Sequence, residues 1–284
     1  MDLIFKDLRF ALRILLKRPV ITLVILLTLA LGIGANAAIF SFVNALLLRP
    51  LPYEKPDELV ILETRRADEA GNLSLRDVTD ILEETSVFED IAVYGSNSAY
   101  NISGDGQQPD ELPATLCSSN LFEVLGVDIA MGGIWPQEFD RQRNHSIVLT
   151  HKLWQNRYQG NSEVLDQMVK LDGYDGYRIF GVLPPDIHFP FHATLFRSIA
   201  YYDLDDTKRS NRWYQAVGRL RSGVDYQEAN EALQGLSERL ASEFADSNFE
   251  LRFEIRPLEE MYRGDVSPYL WLLFGAVGII LLIA

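Results

Sequence analysis

"LALGIGANAAIFSFVNALLLRPLPY", residues 29–53, is apolar enough to enter a bilayer, yet it is crowded with small residues and carries two asparagines. A helix serving only as an anchor would do well with leucine, valine and phenylalanine. Here Ala30, Gly34, Ala37/Ala38, Ser41 and Ala45 recur three or four residues apart and fall on one helix face. In lipid the surrounding chains are as apolar as leucine. Helices therefore associate through close backbone approach and van der Waals contact, which a stripe of small side chains permits. Asn44 lies beside the stripe, where it can hydrogen-bond to a neighbour; Asn36 sits on a different side. The helix-packing residues read from the sequence are thus Ala30, Gly34, Ala38, Ser41, Asn44 and Ala45. They predict a protein with several membrane helices, or an oligomer. The plainer reading, that small residues merely tolerate the membrane, is disfavoured by five positions agreeing in register.

The flanks extend this reading. Residues 19–48 carry no charge, and about 20 apolar residues suffice to cross the hydrocarbon. As a helix the run is about 45 Å long, so its last third is expected to rise as a stalk until Pro50 and Pro52 end it. Pro19 suits the first turn of a helix. Ahead of it, "MDLIFKDLRFALRILLKR" places Leu8, Ala11, Leu12, Leu15 and Leu16 on one face and Lys6, Arg9, Arg13 and Lys17 on the other. That pattern predicts a helix lying on the membrane surface, with the N-terminus in the cytoplasm. The rival reading is a cleaved signal peptide with "ANA" at residues 35–37 as its site. It is disfavoured because the apolar run continues beyond the supposed cut. At the other end, residues 269–284 are uncharged. Sixteen residues fall short of a crossing, so they are read as the truncated start of a second transmembrane helix in a fragment of a longer protein.

Between these ends the composition changes. Residues 1–52 hold six basic and two acidic side chains, leaving 20 basic and 38 acidic in the remainder, a net of −18. So acidic a surface repels phosphate backbones, and nucleic acid is not an expected partner. One cysteine, Cys117, forms no internal disulfide and no metal cluster; it is read as core.

The outer part alternates strand and helix signals. "DELVILETRR" reads as a strand, and Ser74 as the cap of a helix in "SLRDVTDILEETSVFEDI", with Asp77 at capping-box spacing. Val78, Ile81 and Leu82 form its inner face. "SAYNISG" and "PATLCSSN" read as strands around the loop "GDGQQPDE", and "NLFEVLGV" as a short helix. "HSIVLTHKLWQNRY" runs from strand to helix. "QMVKLDGYDGYRIFGVLPP" is a hairpin turning at "DGYDG", and "RWYQAVGRL" a strand. Asp225 starts a helix lined by Ala229, Leu233, Leu236, Leu240 and Phe244, and "FELRFEIRPL" closes as a strand. The expected fold class is α+β, with strand–helix–strand units near both ends and a β-rich middle.

No catalytic constellation emerges. There is no P-loop motif and no H-E-x-x-H. His188 and His192 flank Pro190 and make an incomplete metal site. Asp203, Asp205 and Asp206 lack the glycine and final glutamate of an EF-hand loop. Glu83/Glu84, Glu89/Asp90 and Glu259/Glu260 are read as surface charge. No cofactor, no metal and no enzymatic activity are expected.

"DLRFALRILLKRP", residues 29–53, "NLFEVLGV", "SIVLTHKLWQNRYQGNSEVLDQMVKLDGYDGYRIFGVLPP" and "RLRSGVDYQEANEAL" together resemble MacB-like ABC transporter permeases, most of all the large duplicated ones without a fused ATPase. The resemblance implies a cytoplasmic amphipathic helix (1–18), a transmembrane helix and stalk (19–48), a periplasmic core domain (53–267) and a second transmembrane helix from 268. The core would have porter-like strand–helix–strand units and an inserted β-rich lobe, roughly 120–205. It further implies a bacterial inner-membrane permease subunit in efflux or mechanotransmission. The expected partners are a separate cytoplasmic ABC ATPase, a second permease copy or duplicated half, a periplasmic adaptor and the lipid bilayer. Two places depart from the family's pattern. Gln159–Gly160–Asn161 and Asp166–Gln167 stand where glycine is commoner, and Gly132–Gly133–Ile134 replaces a small-residue-plus-arginine pattern. The alternative reading is a non-transporting scaffold or sensor domain held by membrane helices.

Overall fold

The uncharged run forms one continuous helix, α1 (Pro19–Val43). Its first 20 residues have a mean hydropathy of 2.3, so it is long and apolar enough to cross a membrane. Polar side chains within it turn back onto its own backbone. Thr22 Oγ1 donates to the Arg18 carbonyl at 3.0 Å, Thr28 Oγ1 to the Ile25 carbonyl at 2.9 Å, and Asn36 Nδ2 to the Gly32 carbonyl at 3.3 Å. Self-satisfied polar groups are what an apolar solvent demands. The computed structural model describes residues 10, 13, 16–43, 51–96, 98–140, 145–187, 189–190, 193–199, 208–263, 275 and 278. The amphipathic segment ahead of α1 and the apolar segment from 268 lie largely outside them. The chain forms two units, Met1–Pro50 with Glu260–Ala284, and Leu51–Glu259.

The elements of the second unit, in chain order, are β1 (Leu59–Arg66), β2 (Glu69–Gly71), α2 (Leu75–Glu84), β3 (Phe88–Tyr94), β4 (Ser98–Ser103), β5 (Asp110–Cys117), α3 (Leu121–Leu125), β6 (Met131–Gly132), β7 (Ser146–Leu149), α4 (His151–Tyr158), β8 (Met168–Leu171), β9 (Tyr174–Val182), β10 (Leu195–Ser198), β11 (Gln215–Leu220), α5 (Tyr226–Glu243), α6 (Ala245–Asn248) and β12 (Leu251–Pro257). A further helix, α7 (Leu258–Arg263), follows directly.

Two architectures share this unit. In the first, β3, β11, β1 and β12 lie side by side in that order, all neighbours antiparallel. With α2 between β1 and β3, and α5 between β11 and β12, this is the split βαβ arrangement of ferredoxin-like folds. Val60 and Leu62 of β1, Phe253 and Ile255 of β12, and Val78 and Ile81 of α2 share one core with Ala229, Leu233, Leu236 and Leu240 of α5. Each fully buried leucine of this kind contributes about 1.5–3 kcal/mol. Ser74 and Asp77 do form a complete capping box on α2. The helix is shorter than the sequence pattern implied: it stops at Glu84, because Thr85 turns extended and residues 88–94 join the sheet as β3.

The second architecture is inserted between β3 and β11. Strands β5, β4, β8, β9, β7 and β10 pair in succession, and β10 pairs again with β5, in parallel. The six strands thus close on themselves. Ile102, Ala114, Leu149, Leu171, Ile179 and Leu195, one from each strand, meet in one core with Leu153 and Tyr158 of α4. The ring therefore begins at Ser98, so that β4 and β5 enter the β-rich lobe ahead of residue 120. The closing strand β10, four residues reading "LFRS", carried no strand signal. It is held by Thr194, whose amide donates to the Pro113 carbonyl at 2.8 Å, while the Thr150 hydroxyl donates to the Thr194 carbonyl at 2.9 Å.

Ring and split sheet join where Tyr94 lies opposite Cys117, with the Gly95 amide donating to the Leu116 carbonyl and the Ser118 amide to the Val93 carbonyl on either side, each at 2.9 Å. Cys117 is fully buried there, as expected of a core residue. Beside it Ser118 Oγ accepts from the Val93 amide at 3.0 Å, and Asn120 Nδ2 donates to Asp90 Oδ2 at 2.7 Å.

Candidate functional site

Four of the six predicted helix-packing residues, Ala30, Gly34, Ala38 and Ser41, lie on α1 and are exposed. A Cβ added at Gly34 would meet nothing within 4 Å. Asn44 and Ala45 lie outside the described residues, as do His188, His192, Asp203, Asp205 and Asp206. Of the adjacent acidic pairs, Glu84 is bound to Arg239 of α5 and Asp90 to Asn120.

A second feature is the corner where the chain comes into and leaves the unit Leu51–Glu259. Val60 pairs with Pro257, so the incoming and outgoing chain lie on neighbouring strands at the same end of the sheet. A charge ladder staples these strands: Arg65 bonds Glu254 at 2.8 Å and Glu63 at 2.9 Å, and Arg256 reaches Glu63 at 3.1 Å. The incoming residues 51–58 turn sharply, with Lys55 left-handed at φ 44°. Arg219, on β11, fastens them: its Nη2 donates to the Glu54 carbonyl at 2.9 Å and its Nε to the Val124 carbonyl at 2.9 Å. The Ser222 hydroxyl donates to Glu58 at 2.9 Å. Burial works to raise the Glu58 carboxyl. The Ser222 bond and the charges of Lys55 and Arg219 outweigh it and hold Glu58 below the usual carboxylate range. A cleft of about 380 Å³ opens here, lined by Glu54, Glu58, Glu89, Asp90 and Glu123 with Lys55 and Arg219.

A third feature pins residues 208–214, which lead back from the lobe to β11. Asp77 and Asp80 of α2 are fully buried. Asp77 pairs with Arg212 at 3.1 Å, and Asp80 with Arg209 and, at 2.8 Å, with Arg76. Arg209 also lies 4.0 Å over the Phe244 ring. Sequence reasoning missed Arg219, Asp77 and Asp80 as paired charges. An arginine inside the apolar strand "AVGRL" was the available signal, since such a residue is buried only with partners.

The model of the MacB-like periplasmic core domain matches residues 22–236. The chain belongs to this family. Solved structures agree with the fold. A domain assigned to a permease protein of Porphyromonas gingivalis superposes with a TM-score of 0.57 at 19% identity, over 74% of this chain and 98% of that one. The periplasmic region of MacB from Actinobacillus actinomycetemcomitans gives 0.54 at 16%, over 74% and 92%. The extracellular domain of YknZ, a noncanonic ABC-type transporter from Gram-positive bacteria, gives 0.51 at 9%, over 70% and 99%. No curated protein matches. The α+β domain of the MacB-like family is thus what residues 51–259 build.

Proposed function

We propose that the chain is the membrane-anchored permease subunit of an ABC-type efflux or mechanotransmission system, in which ATP hydrolysis by a separate cytoplasmic subunit moves the domain Leu51–Glu259. The pairing of Val60 with Pro257 carries this reading. A domain whose chain arrives and departs on adjacent antiparallel strands hangs from one end, as a domain strung between two membrane helices must. The apolar helix Pro19–Val43 supplies the first anchor, and family membership supports the ABC context. The domain's part is mechanical rather than enzymatic. The N-terminus lies in the cytoplasm and the domain in the periplasm of a bacterial inner membrane. The stripe Ala30–Gly34–Ala38–Ser41 packs against a second copy or a duplicated half, and a periplasmic adaptor is a further partner.

Thiol labelling tests this. In a Cys117→Ser background, Gln108→Cys on the exposed loop after β4 reacts with a membrane-impermeant maleimide in intact, outer-membrane-permeabilised cells. Labelling of that site only after lysis overturns the reading.

A further inference from the structure

Arg219 bonds to parts of the chain far apart in sequence. Residue 219 is only 8% exposed. Its guanidinium donates to the Glu54 carbonyl, on the incoming segment, and to the Val124 carbonyl, in α3. These two acceptors are backbone oxygens, so the bonds report the position of the chain itself, and a longer 3.5 Å contact to the Glu58 carboxylate adds a third tie to the incoming segment. α3 is a wedge: Leu121, Phe122, Val124 and Leu125 are all buried. The Phe122 ring meets Phe196 of the ring-closing strand β10 edge-on at 5.1 Å. The glycine that ends α3, Gly126, is left-handed at φ 66°, and a Cβ there would lie 2.6 Å from the Glu54 Cβ. Segment and wedge are therefore in direct contact, with Arg219 bridging them.

We infer that Arg219 is a positioning residue that fixes the incoming segment to α3, so that displacement of the segment is passed through Phe122 and Phe196 into the strand ring. A planar fork of donors holds two carbonyls in one geometry, which a flexible ammonium does not. A buried guanidinium also loses heavily when its partners leave, so the contact persists as the segment moves. The inference deepens the permease reading and rests on it for what drives the segment.

The test uses the full chain in lipid nanodiscs, with Cys117→Ser and nitroxides at Asp57→Cys, on the incoming segment, and Lys170→Cys, on β8. Pulsed dipolar spectroscopy reads the distance distribution. The expected result is one narrow peak, lost in Arg219→Gln and partly broadened in Arg219→Lys. A second label pair within the ring, Glu111→Cys with Lys170→Cys, keeps its native distribution throughout. A native peak in Arg219→Gln overturns the inference. So does equal broadening of the ring pair, which would make Arg219 a general stabiliser. Should Arg219→Gln not fold, Arg219→Lys decides alone, and a native peak there overturns the inference. The distances are read without nucleotide or ATPase, so failure here leaves the permease reading standing. Failure of the maleimide labelling, in turn, leaves these distances unchanged.

Discussion

The Ser237 hydroxyl accepts a 2.8 Å hydrogen bond from the Phe253 amide, on the edge of β12 that faces away from β1. Two residues on, the Ile255 amide donates to Asn230 Oδ1 at 3.3 Å, and the Tyr226 hydroxyl donates to the Ile255 carbonyl. All three side chains belong to α5. Since β12 ends the path of paired strands, the helix occupies backbone groups that would otherwise offer a template for another strand. Ser237→Ala keeps a good helix former but strands a buried amide. It is expected to cost about 1–3 kcal/mol. Urea unfolding should show a lower midpoint at unchanged slope, and the Phe253 amide should exchange faster. An unchanged midpoint would mean that another acceptor serves this amide.

The ring has its own buried charge. Arg157 of α4 grips Asp105 at 2.6 Å, and the Tyr158 hydroxyl donates to the same carboxylate at 2.8 Å. Burial pushes the Asp105 carboxyl up, but these bonds outweigh it and hold the group below its ordinary range. A carboxyl depressed in the folded state stabilises at pH above its unfolded value, about 3.9. That contribution is lost as pH falls through the lower folded value. Plotted against pH, the unfolding midpoint of Asp105→Asn should therefore fall less steeply below about pH 4 than that of the native chain. Arg157→Gln, which leaves the buried carboxylate without its opposite charge and with only the Tyr158 hydroxyl and a backbone amide as donors, is expected to cost about 3–5 kcal/mol. Parallel acid profiles for Asp105→Asn and the native protein would refute the assignment.

Two arginines near Asp77 and Asp80 should differ sharply in effect. Arg212 pairs with Asp77, whose side chain is fully buried. Arg76 is 39% exposed in its side chain, and Asp80 keeps Arg209 without it. Arg212→Gln is expected to destabilise by about 3–5 kcal/mol, and Arg76→Gln by no more than about 1 kcal/mol. Chemical denaturation of the two variants side by side decides; equal losses would show that Arg209 does not neutralise Asp80 alone.

What the sequence made legible was local. The Ser74–Asp77 capping box, the α5 stripe from Ala229 to Leu240 and the β8–β9 hairpin each follow from residues within one or two turns of each other. What it hid depended on distant pairing. Strand β10 is four residues long and includes Arg197, which is tolerated there between the rings of Tyr100 and Tyr177 at 4.5 and 5.5 Å. Nothing local announces that such a segment closes a ring. Asp105 looked like one more loop carboxylate in "GDGQQPDE", because its partners lie 52 and 53 residues away. Asp77 was legible as a capping residue, but its pairing with Arg212, and that of Asp80 with Arg209, join residues more than 120 positions apart. The small-residue stripe was legible as a pattern, and four of its residues are exposed on α1.

The glycine departures predict opposite outcomes. Gln159 adopts φ 52° after α4, a conformation natural to glycine. A left-handed non-glycine residue costs about 1–2 kcal/mol, partly offset by the greater entropy loss of glycine on folding, about 0.5–1 kcal/mol. Gln159→Gly should thus stabilise by about 0.5–1 kcal/mol. Gly132 sits at φ 77°, and a Cβ there would lie 2.3 Å from the Phe180 carbonyl oxygen. Gly132→Ala should cost about 2–4 kcal/mol. Thermal unfolding of both variants checks the pair, and a stabilised Gly132→Ala would disprove the backbone assignment.

The stripe on α1 makes the last prediction. Gly34 is exposed with open space at its Cβ position, so Gly34→Leu introduces no clash within the single chain and the helix itself should persist. If the stripe is a contact surface, the added side chain keeps a neighbouring backbone from approaching, and the contact area that drives association in lipid is lost. Ile33, one position away, is exposed on another side, and Ile33→Leu changes shape there without touching the stripe. Asn36 bonds back to Gly32, so Asn36→Leu should leave association intact, whereas a bridging asparagine would be missed. Energy transfer between labelled copies of the full chain in liposomes, read as a function of dilution, measures this. The expected order is loss of association for Gly34→Leu and native behaviour for Ile33→Leu and Asn36→Leu. Native association in Gly34→Leu would move the contact off this face, and a loss in Asn36→Leu would show that the asparagine leaves its own helix to bond a partner.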